Sequence, residues 1–393
     1  MRTHILRWLL IILLVLLSFV CVAALWNATV TSDVGKSDFI GYWSATYLLQ
    51  HGQNPYDEAS MGVLQHVQMK TEVEPTIMAW NPPTLFIFLL PLAWFSFTTA
   101  RFLLLAINII ILLAAGLILA RMYLPPGKPR LMVIYLLFVI GFPQALSAIY
   151  MGQVTFFVFL GLVASLALIK KEQWFWAGAV LVLTTIKPHL VILPLIYLLI
   201  YMARKRHYEG WIGLILAGAI CAVVLFILRP NWIYDLIGLM AIAPIHWATP
   251  TIGGLLGYWQ LSDAGRYLVI LFLPLPFLLL RYEAKINIEF AVALLTLITV
   301  PTTFFGWSYD QTMLLIPIAQ IFSWVSASKN LTFKFCIVSV VLVALGLNFY
   351  QRLFNRNDVF YLWVPLFWWL VFGVSWRYFS TTTQPKLDPV QPA

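Results

Sequence analysis

The chain has 393 residues, of which 62% are hydrophobic and 10% are charged, and its formal net charge is +9. A soluble domain usually carries about 25% charged residues, so this composition excludes an ordinary soluble domain and indicates an integral membrane protein. The basic residues lie in short clusters between apolar segments, as in cytoplasmic loops, and form no stripe that nucleic acid could follow. We therefore expect the lipid bilayer, and not nucleic acid, as a partner.

The apolar segments predict an all-α protein with about 12 (11–13) transmembrane helices. A short basic N-terminus precedes the first segment, which is longer than the apolar centre of a cleaved signal peptide and is interpreted as a retained signal anchor. The segments lie at 8–26, 83–98, 100–121, 131–150, 153–169, 174–186, 190–203, 210–228, 266–281, 288–305, 312–327, 334–350 and 358–376.

The basic clusters constrain the topology between residues 83 and 121. If every cluster is cytoplasmic, this stretch must cross the membrane an odd number of times. Either Pro82 to Phe97 forms a partial or re-entrant helix, or Arg121 to Arg130 faces outward. We favour about twelve spans in the cell membrane with both chain ends cytoplasmic.

Residues 1–380 are predicted to form a single polytopic domain, followed by a disordered tail at 381–393. Two segments are too polar for the membrane: 27–82, directly after the first helix, and 229–265. The same topology places both loops outside the cytoplasm.

The first loop is the most informative segment. Residues 39–49 place aromatic and apolar groups at helical spacing, and Ser37 or Asp38 can cap this helix. Such a helix is predicted to lie in the membrane interface on its aromatic face. Gly52 is predicted to end it, and Asn54-Pro55 to form a turn. A capping aspartate and a simple turn remain the structural alternative to a function for this loop.

Short motifs follow one another between about residue 30 and residue 320. They are Asp38 to Trp43, Gly52 to Asp57, Trp80 to Pro83, Met151 to Gln153, Ala177-Gly178 leading to Lys187-Pro188, and Gly306 to Gln311 before Pro317. Their order resembles the GT-C glycosyltransferases, and most closely the polyprenol-phosphate-mannose-dependent α-mannosyltransferases. The chain departs from that pattern at two positions. Tyr309 precedes Asp310, and Gln311 stands where the family has histidine.

This resemblance implies a GT-C-like helical bundle and an inverting sugar transfer on the extracytoplasmic side. The donor would be a polyprenyl-phosphate-linked sugar, with mannose favoured, and the acceptor a lipid or glycan hydroxyl. Asp38 matches the general base of the family. Lys187 is the candidate to face the donor phosphate, although a lysine that extends its ammonium to the membrane surface is an equal alternative. No metal and no other cofactor is required.

Further candidate substrate-binding residues follow from the same motifs and from the second loop. They are Tyr42, Trp43, Tyr56, Asp57, Asn81, Gln153, His189, His246, Tyr309, Asp310 and Gln311. For Asp310 a structural role at a helix entrance is at least as plausible, and a histidine such as His189 or His246 more often has no catalytic role. The mechanism predicts that Asp38, Lys187 and Asp310 converge on an outward cavity.

Two other functions stay open at the level of sequence. A transporter or lipid flippase predicts charged or broken helices near the membrane midplane and an internal repeat, and no convincing repeat is found. A non-catalytic membrane scaffold would not need the polar first loop.

Overall fold

The computed structural model describes residues 37–69, 75–243, 246–284, 286–354 and 357–383. Within these residues it contains helices and no strand, which confirms the all-α prediction. The predicted helix at 8–26, residues 27–36 of the first loop and residues 384–393 of the tail lie outside the described residues.

Every apolar segment predicted from residue 83 onward contains a helix. The α-helices are α1 (Phe39–Gln50), α2 (Glu58–Met69), α3 (Thr84–Leu89), α4 (Phe97–Tyr123), α5 (Pro129–Gly141), α6 (Pro143–Tyr150), α7 (Thr155–Lys170), α8 (Trp174–Val180), α9 (Ile192–Arg204), α10 (Glu209–Leu228), α11 (Trp232–Ala241), α12 (Ile252–Tyr258), α13 (Leu275–Arg281), α14 (Ile288–Thr302), α15 (Leu315–Ala327), α16 (Leu331–Phe354) and α17 (Trp363–Thr383). Short 3₁₀ helices lie at Leu90–Trp94, Leu181–Ile186, Pro188–Val191, Ala264–Phe272, Ser308–Leu314 and Asp358–Leu362. Helix α17 extends to Thr383, and the predicted disordered tail at 381–393 stays a prediction.

The chain divides into two compact units. The first comprises the described residues up to Asn108, together with Tyr150–Gly152 and Val224–Ala241. The second comprises Ile109–Ile149, Gln153–Val223 and the described residues from Ile242 onward. The prediction of one domain over residues 1–380 stays a prediction.

Among the described residues, five helices are long and apolar enough to cross a membrane, and a sixth is counted if α5 and α6, bent by 50°, form one span. The five are Phe97–Tyr123, Glu209–Leu228, Ala264–Arg281, Leu331–Phe354 and Asp358–Thr381. The other apolar segments form shorter helices, so the count of about twelve spans is not confirmed. Residues Thr84–Trp94 form one of these shorter helices, as the partial-helix alternative for 82–97 requires.

Proline accounts for the most important interruption. The segment before Lys187 ends as a 3₁₀ helix, and Pro188 begins the next one. A residue before proline is disfavoured in the helical conformation, and Lys187 has φ −143° and ψ 71°. The break therefore places a lysine between two apolar helical segments.

The basic loops of the second unit lie together. The Tyr123 hydroxyl donates to the Glu289 carbonyl at 3.2 Å, and the Glu289 carboxylate pairs with Lys170. Lys205 pairs with Glu283 at 3.3 Å. Since Tyr123 ends α4 and Glu289 also holds Lys170, the loop after α4 lies at the same end of this unit as the loop after α7. This arrangement favours the alternative in which 82–97 is a partial helix, and the side of the membrane that Arg121 to Arg130 faces stays a prediction.

Helix α1 is buried rather than spread on a surface. Ten of its twelve residues are buried, and its aromatic side chains pack inside the first unit. The rings of Phe39 and Trp43 lie 5.7 and 5.8 Å from that of Phe97, and Trp43 Nε1 donates to the Phe95 carbonyl at 3.3 Å. The aromatic face that was predicted to lie on the membrane interface therefore packs against other residues of the first unit. The end at Gly52, with φ +71°, is confirmed.

Gly152 supports the start of α1. The Ser37 hydroxyl donates to the Met151 carbonyl at 3.3 Å, and a Cβ at Gly152 would lie 2.7 Å from the Cβ of Phe39. Gly152 also has φ +63°, which side chains rarely adopt.

We expect Gly152→Ala to lower the free energy of unfolding by about 1–3 kcal/mol, because it combines backbone strain with a clash against Phe39. Gly127→Ala is the matched control, since Gly127 has φ +77° but no atom within 4 Å of the new Cβ. Thermal unfolding of both purified variants in one detergent measures the difference. Equal losses would show that the contact with Phe39 adds nothing.

Candidate functional site

A buried ion pair lies in the second unit at the break between α8 and α9. Lys187 Nζ lies 2.8 Å from Asp310 Oδ1, and the two side chains are only 7% and 4% exposed. Lys187 follows the 3₁₀ helix Leu181–Ile186, whereas Asp310 lies in the first turn of the 3₁₀ helix Ser308–Leu314. A charged pair of this burial needs further hydrogen bonds to offset the loss of hydration.

Neighbouring polar groups supply those hydrogen bonds. Lys187 Nζ donates to Gln153 Oε1 at 3.0 Å and to Thr155 Oγ1 at 3.3 Å, and the Thr155 hydroxyl donates to Asp310. The second oxygen of Asp310 accepts from the Trp307 backbone N–H at 3.0 Å. Gln153, Thr155, Lys187 and Asp310 are called the polar cluster below.

Aromatic and polar side chains surround the polar cluster. Lys187 Nζ lies 5.1 Å from the ring centre of Tyr309, within the range of a cation–π interaction. Gln311 Nε2 donates to the Tyr361 carbonyl at 3.1 Å, and Gln311 Oε1 accepts from Gln144 at 3.5 Å. Tyr309 and Gln311, where the chain departs from the family pattern, are both buried beside the polar cluster.

The lysine does not reach the surface. Its ammonium is enclosed by three acceptors, so the alternative of a lysine extending to the membrane surface was wrong. The structural role predicted for Asp310 at a helix entrance is confirmed, because Asp310 accepts the hydrogen bond that begins its 3₁₀ helix. Asp310 also pairs with Lys187, which a structural role at the helix entrance does not require.

Three helices point their N-terminal ends at this region and their C-terminal ends at basic loops. Helix α7 begins at Thr155 and ends at Lys170, α9 begins shortly after Lys187 and ends at Arg204, and α15 follows Asp310. The polar cluster thus lies at the end of the second unit opposite to the basic loops.

Sequence reasoning missed several residues near the polar cluster. Thr155 carried a signal, because it is the first polar residue after Gln153 and begins an apolar helix. Asp358 is an acid at the start of the last apolar segment, and it accepts from the Ser308 N–H at 2.7 Å and from the Ser308 hydroxyl at 2.6 Å.

Arg266 is a second buried cation in this unit, and sequence analysis did not single it out. It is 4% exposed, and its Nη2 donates to the Trp247 carbonyl at 2.9 Å. Its Nε and Nη1 have no hydrogen-bond partner among the described residues, although Nε lies 3.9 Å from Asp263 Oδ1. The ring of Trp247 lies 5.5 Å from that of Trp307, which is bonded to Asp310.

The two histidines take different positions. The His189 carbonyl accepts from the Thr303 hydroxyl at 2.8 Å. His246 is exposed, and its Nδ1 lies 3.6 Å from Asp263 Oδ2. Neither side chain is among the four that form the polar cluster, and the substrate contacts of both histidines stay predictions.

Asp38 lies in the first unit, directly before α1. Its carbonyl accepts from the backbone N–H groups of Gly41 and Tyr42, but its side chain makes no capping hydrogen bond. Of the two predicted capping residues, Asp38 is therefore excluded, because it has helical angles (φ −61°, ψ −19°) instead of the extended conformation of a capping residue. The convergence of Asp38 with Lys187 and Asp310 stays a prediction.

The rest of the first loop forms a turn with buried and exposed candidates. The Tyr56 N–H donates to Asn54 Oδ1 at 2.9 Å, which confirms the turn, and the Tyr56 hydroxyl donates to the Asn81 carbonyl at 2.8 Å. Burial, and then the Asp235 carboxylate, raise the pKa of Tyr56 well above its ordinary value. Asp57 is exposed, and its hydrogen bonds from Ser60 lower its pKa.

Comparison with known families adds the chemistry that the geometry alone does not give. Residues 80–234 match the model of glycosyltransferase family 87, a range that includes Asn81, Gln153, Lys187 and His189 but neither Asp38 nor Asp310. No curated protein and no solved structure gives a significant match. The match covers less than half of the chain, and this part is similar to a family of GT-C-type membrane glycosyltransferases, which supports the resemblance drawn from the motifs.

Proposed function

We propose that the protein transfers a sugar from a polyprenyl phosphate to a hydroxyl of a lipid or glycan acceptor, with inversion at the anomeric carbon. Mannose is the first candidate for the sugar. The observation that carries the proposal is the buried polar cluster around Lys187 and Asp310, because ionisable groups are kept within apolar segments chiefly for function.

The donor phosphate accounts for the cations. As the anomeric C–O bond breaks, negative charge grows on the leaving phosphate, and fixed cations stabilise it. Lys187 supplies an ammonium held by three acceptors, and Arg266 supplies a guanidinium with two nitrogens that lack hydrogen-bond partners among the described residues. Because Asp310 already offsets the charge of Lys187, the phosphate would draw on both cations.

Asp38 is assigned as the general base. Its carboxylate takes the proton of the acceptor hydroxyl while the oxygen attacks the anomeric carbon, and polyprenyl phosphate leaves from the opposite face. A capping role does not explain this carboxylate, since it makes no cap hydrogen bond. The proposal requires no cofactor, because a lipid phosphate donor lacks the diphosphate that commonly demands a metal.

The sidedness of the reaction follows from the basic loops. If those loops are cytoplasmic, as their charge predicts, the polar cluster lies at the opposite, extracytoplasmic end of the second unit. The active site would then face the side where lipid-linked sugars serve as donors, and the protein would act in the cell membrane.

The test is to incubate the purified protein with radiolabelled polyprenyl-phosphate mannose and a membrane lipid extract, and to identify the labelled product. We expect a labelled glycolipid whose new linkage has the anomeric configuration opposite to that of the donor. The same assay with nucleotide-linked mannose is the control. Transfer only from the nucleotide sugar would contradict the donor assignment, and movement of the lipid across proteoliposomes without transfer would favour a flippase.

A further inference from the structure

An apolar groove in the second unit is separate from the polar cluster. Its volume is about 480 Å³, and it is lined by α5, α15, α16 and the start of α17. Phe138, Phe322 and Trp368 form its aromatic wall, and aliphatic side chains of α16 form the other. Exposed residues such as Leu342, at 61% exposure, border the groove, which is therefore open to the hydrocarbon of a bilayer.

Two lysines lie at one end of this groove. Lys128 directly precedes α5, and Lys334 lies in the first turn of α16, where its Nζ donates to the Ser326 carbonyl at 3.1 Å. Among the described residues that line the groove there is no carboxylate, so nothing in the lining offsets these two positive charges. The groove thus combines a cationic end with an apolar length.

We propose that this groove binds an anionic phospholipid of the bilayer, with its phosphate at Lys128 and Lys334 and an acyl chain along the aromatic wall. Basic pockets between transmembrane helices bind anionic head groups in this way, because the charge is attracted to the lysines while the chain stays in an apolar environment. The site needs no sugar transfer, so it goes beyond the proposed function.

The position of the lysines distinguishes this lipid from the sugar donor. They lie near Ser326 at the C-terminal end of α15, whereas Asp310 precedes its N-terminal end. With 13 residues, α15 is about 20 Å long. A polyprenyl phosphate bound to the lysines would hold its sugar at the wrong end of the helix for the polar cluster.

The test uses the full-length protein in phosphatidylcholine vesicles that contain a minority of phosphatidylglycerol with a photoactivatable acyl chain. We expect crosslinked peptides from α5, α15 and α16. Replacing both lysines (Lys128→Gln with Lys334→Gln) should reduce labelling by about 25-fold, at about fivefold for each lysine. Lys329 lies in the loop directly before α16 and does not line the groove, so Lys329→Gln should leave labelling unchanged.

A second pair of variants tests the apolar part. Val341 lines the groove, whereas Val343 on the same helix is exposed and does not, so Val341→Trp should block labelling and Val343→Trp should not. Equal labelling by a phosphatidylcholine probe, or full labelling of the lysine double variant, would overturn the proposal. Displacement of the probe by polyprenyl phosphate but not by unlabelled phosphatidylglycerol would overturn it in favour of the donor.

Discussion

Asp38→Asn is expected to lower the rate of sugar transfer by about 10²- to 10⁴-fold, the usual contribution of a general base. Asparagine has almost the same shape as aspartate but cannot take the proton of the acceptor hydroxyl. Because the Asp38 side chain makes no cap hydrogen bond, the substitution removes no such support from α1. The start of α1 therefore keeps its backbone hydrogen bonds in the variant, and thermal unfolding measures any other change in stability.

Two measurements separate catalysis from stability in this experiment. The transfer rate and the thermal unfolding of the purified variant are compared with those of Glu58→Gln, which removes an exposed carboxylate from the same loop. We expect the Glu58 variant to keep the parent rate. A parent-like rate in Asp38→Asn, or a loss of rate that is matched by a loss of stability, would contradict the assignment of Asp38 as the base.

Breaking the Lys187–Asp310 pair is expected to have the largest effect on stability. Lys187→Met leaves the Asp310 carboxylate buried without its cation, and such changes lower the free energy of unfolding by about 3–5 kcal/mol. Asp310→Asn should lower the free energy of unfolding by a comparable amount, because it leaves the Lys187 ammonium buried without its carboxylate. The double variant Lys187→Met with Asp310→Leu should recover most of this loss, because no unpaired charge remains in the apolar surroundings.

The exposed pair between Lys205 and Glu283 provides the matched control. These side chains are 41% and 25% exposed, so removing their pairing should change stability by at most about 1 kcal/mol. The transfer rate of the Lys187 and Asp310 double variant then decides the role of the pair. We expect a stable protein without transfer, whereas near-parent activity would show that the pair serves only the fold.

The sequence was sufficient for the helical class because a bilayer leaves few alternatives. Long apolar segments without charges form helices in lipid, where every backbone N–H and C=O must be bonded within the segment. It was not sufficient for the spans themselves. The interruption at Lys187-Pro188 and the bend between α5 and α6 shorten the continuous helices, and the count of about twelve spans remains open.

The site was predicted in part, and the reason lies in sequence separation. Lys187 and Asp310 were each singled out, but nothing in the chain states that residues 123 positions apart form a 2.8 Å contact. Thr155 carried a weak signal that was missed, whereas Arg266 carried no distinctive motif, so only the fold reveals it. The packing of the aromatic face of α1 against protein was not predicted, because an aromatic-rich helix of the membrane surface and one of the protein interior share the same composition.

The distance in sequence between the two buried charges has a consequence for biosynthesis. The segment that carries Lys187 enters the membrane before Asp310 has been synthesised, and a lysine at depth is costly until it is paired. The nascent chain must therefore hold the lysine near water, or against other partners, until the later helices arrive. The buried ion pair of the second unit can therefore form only after Asp310 has been synthesised.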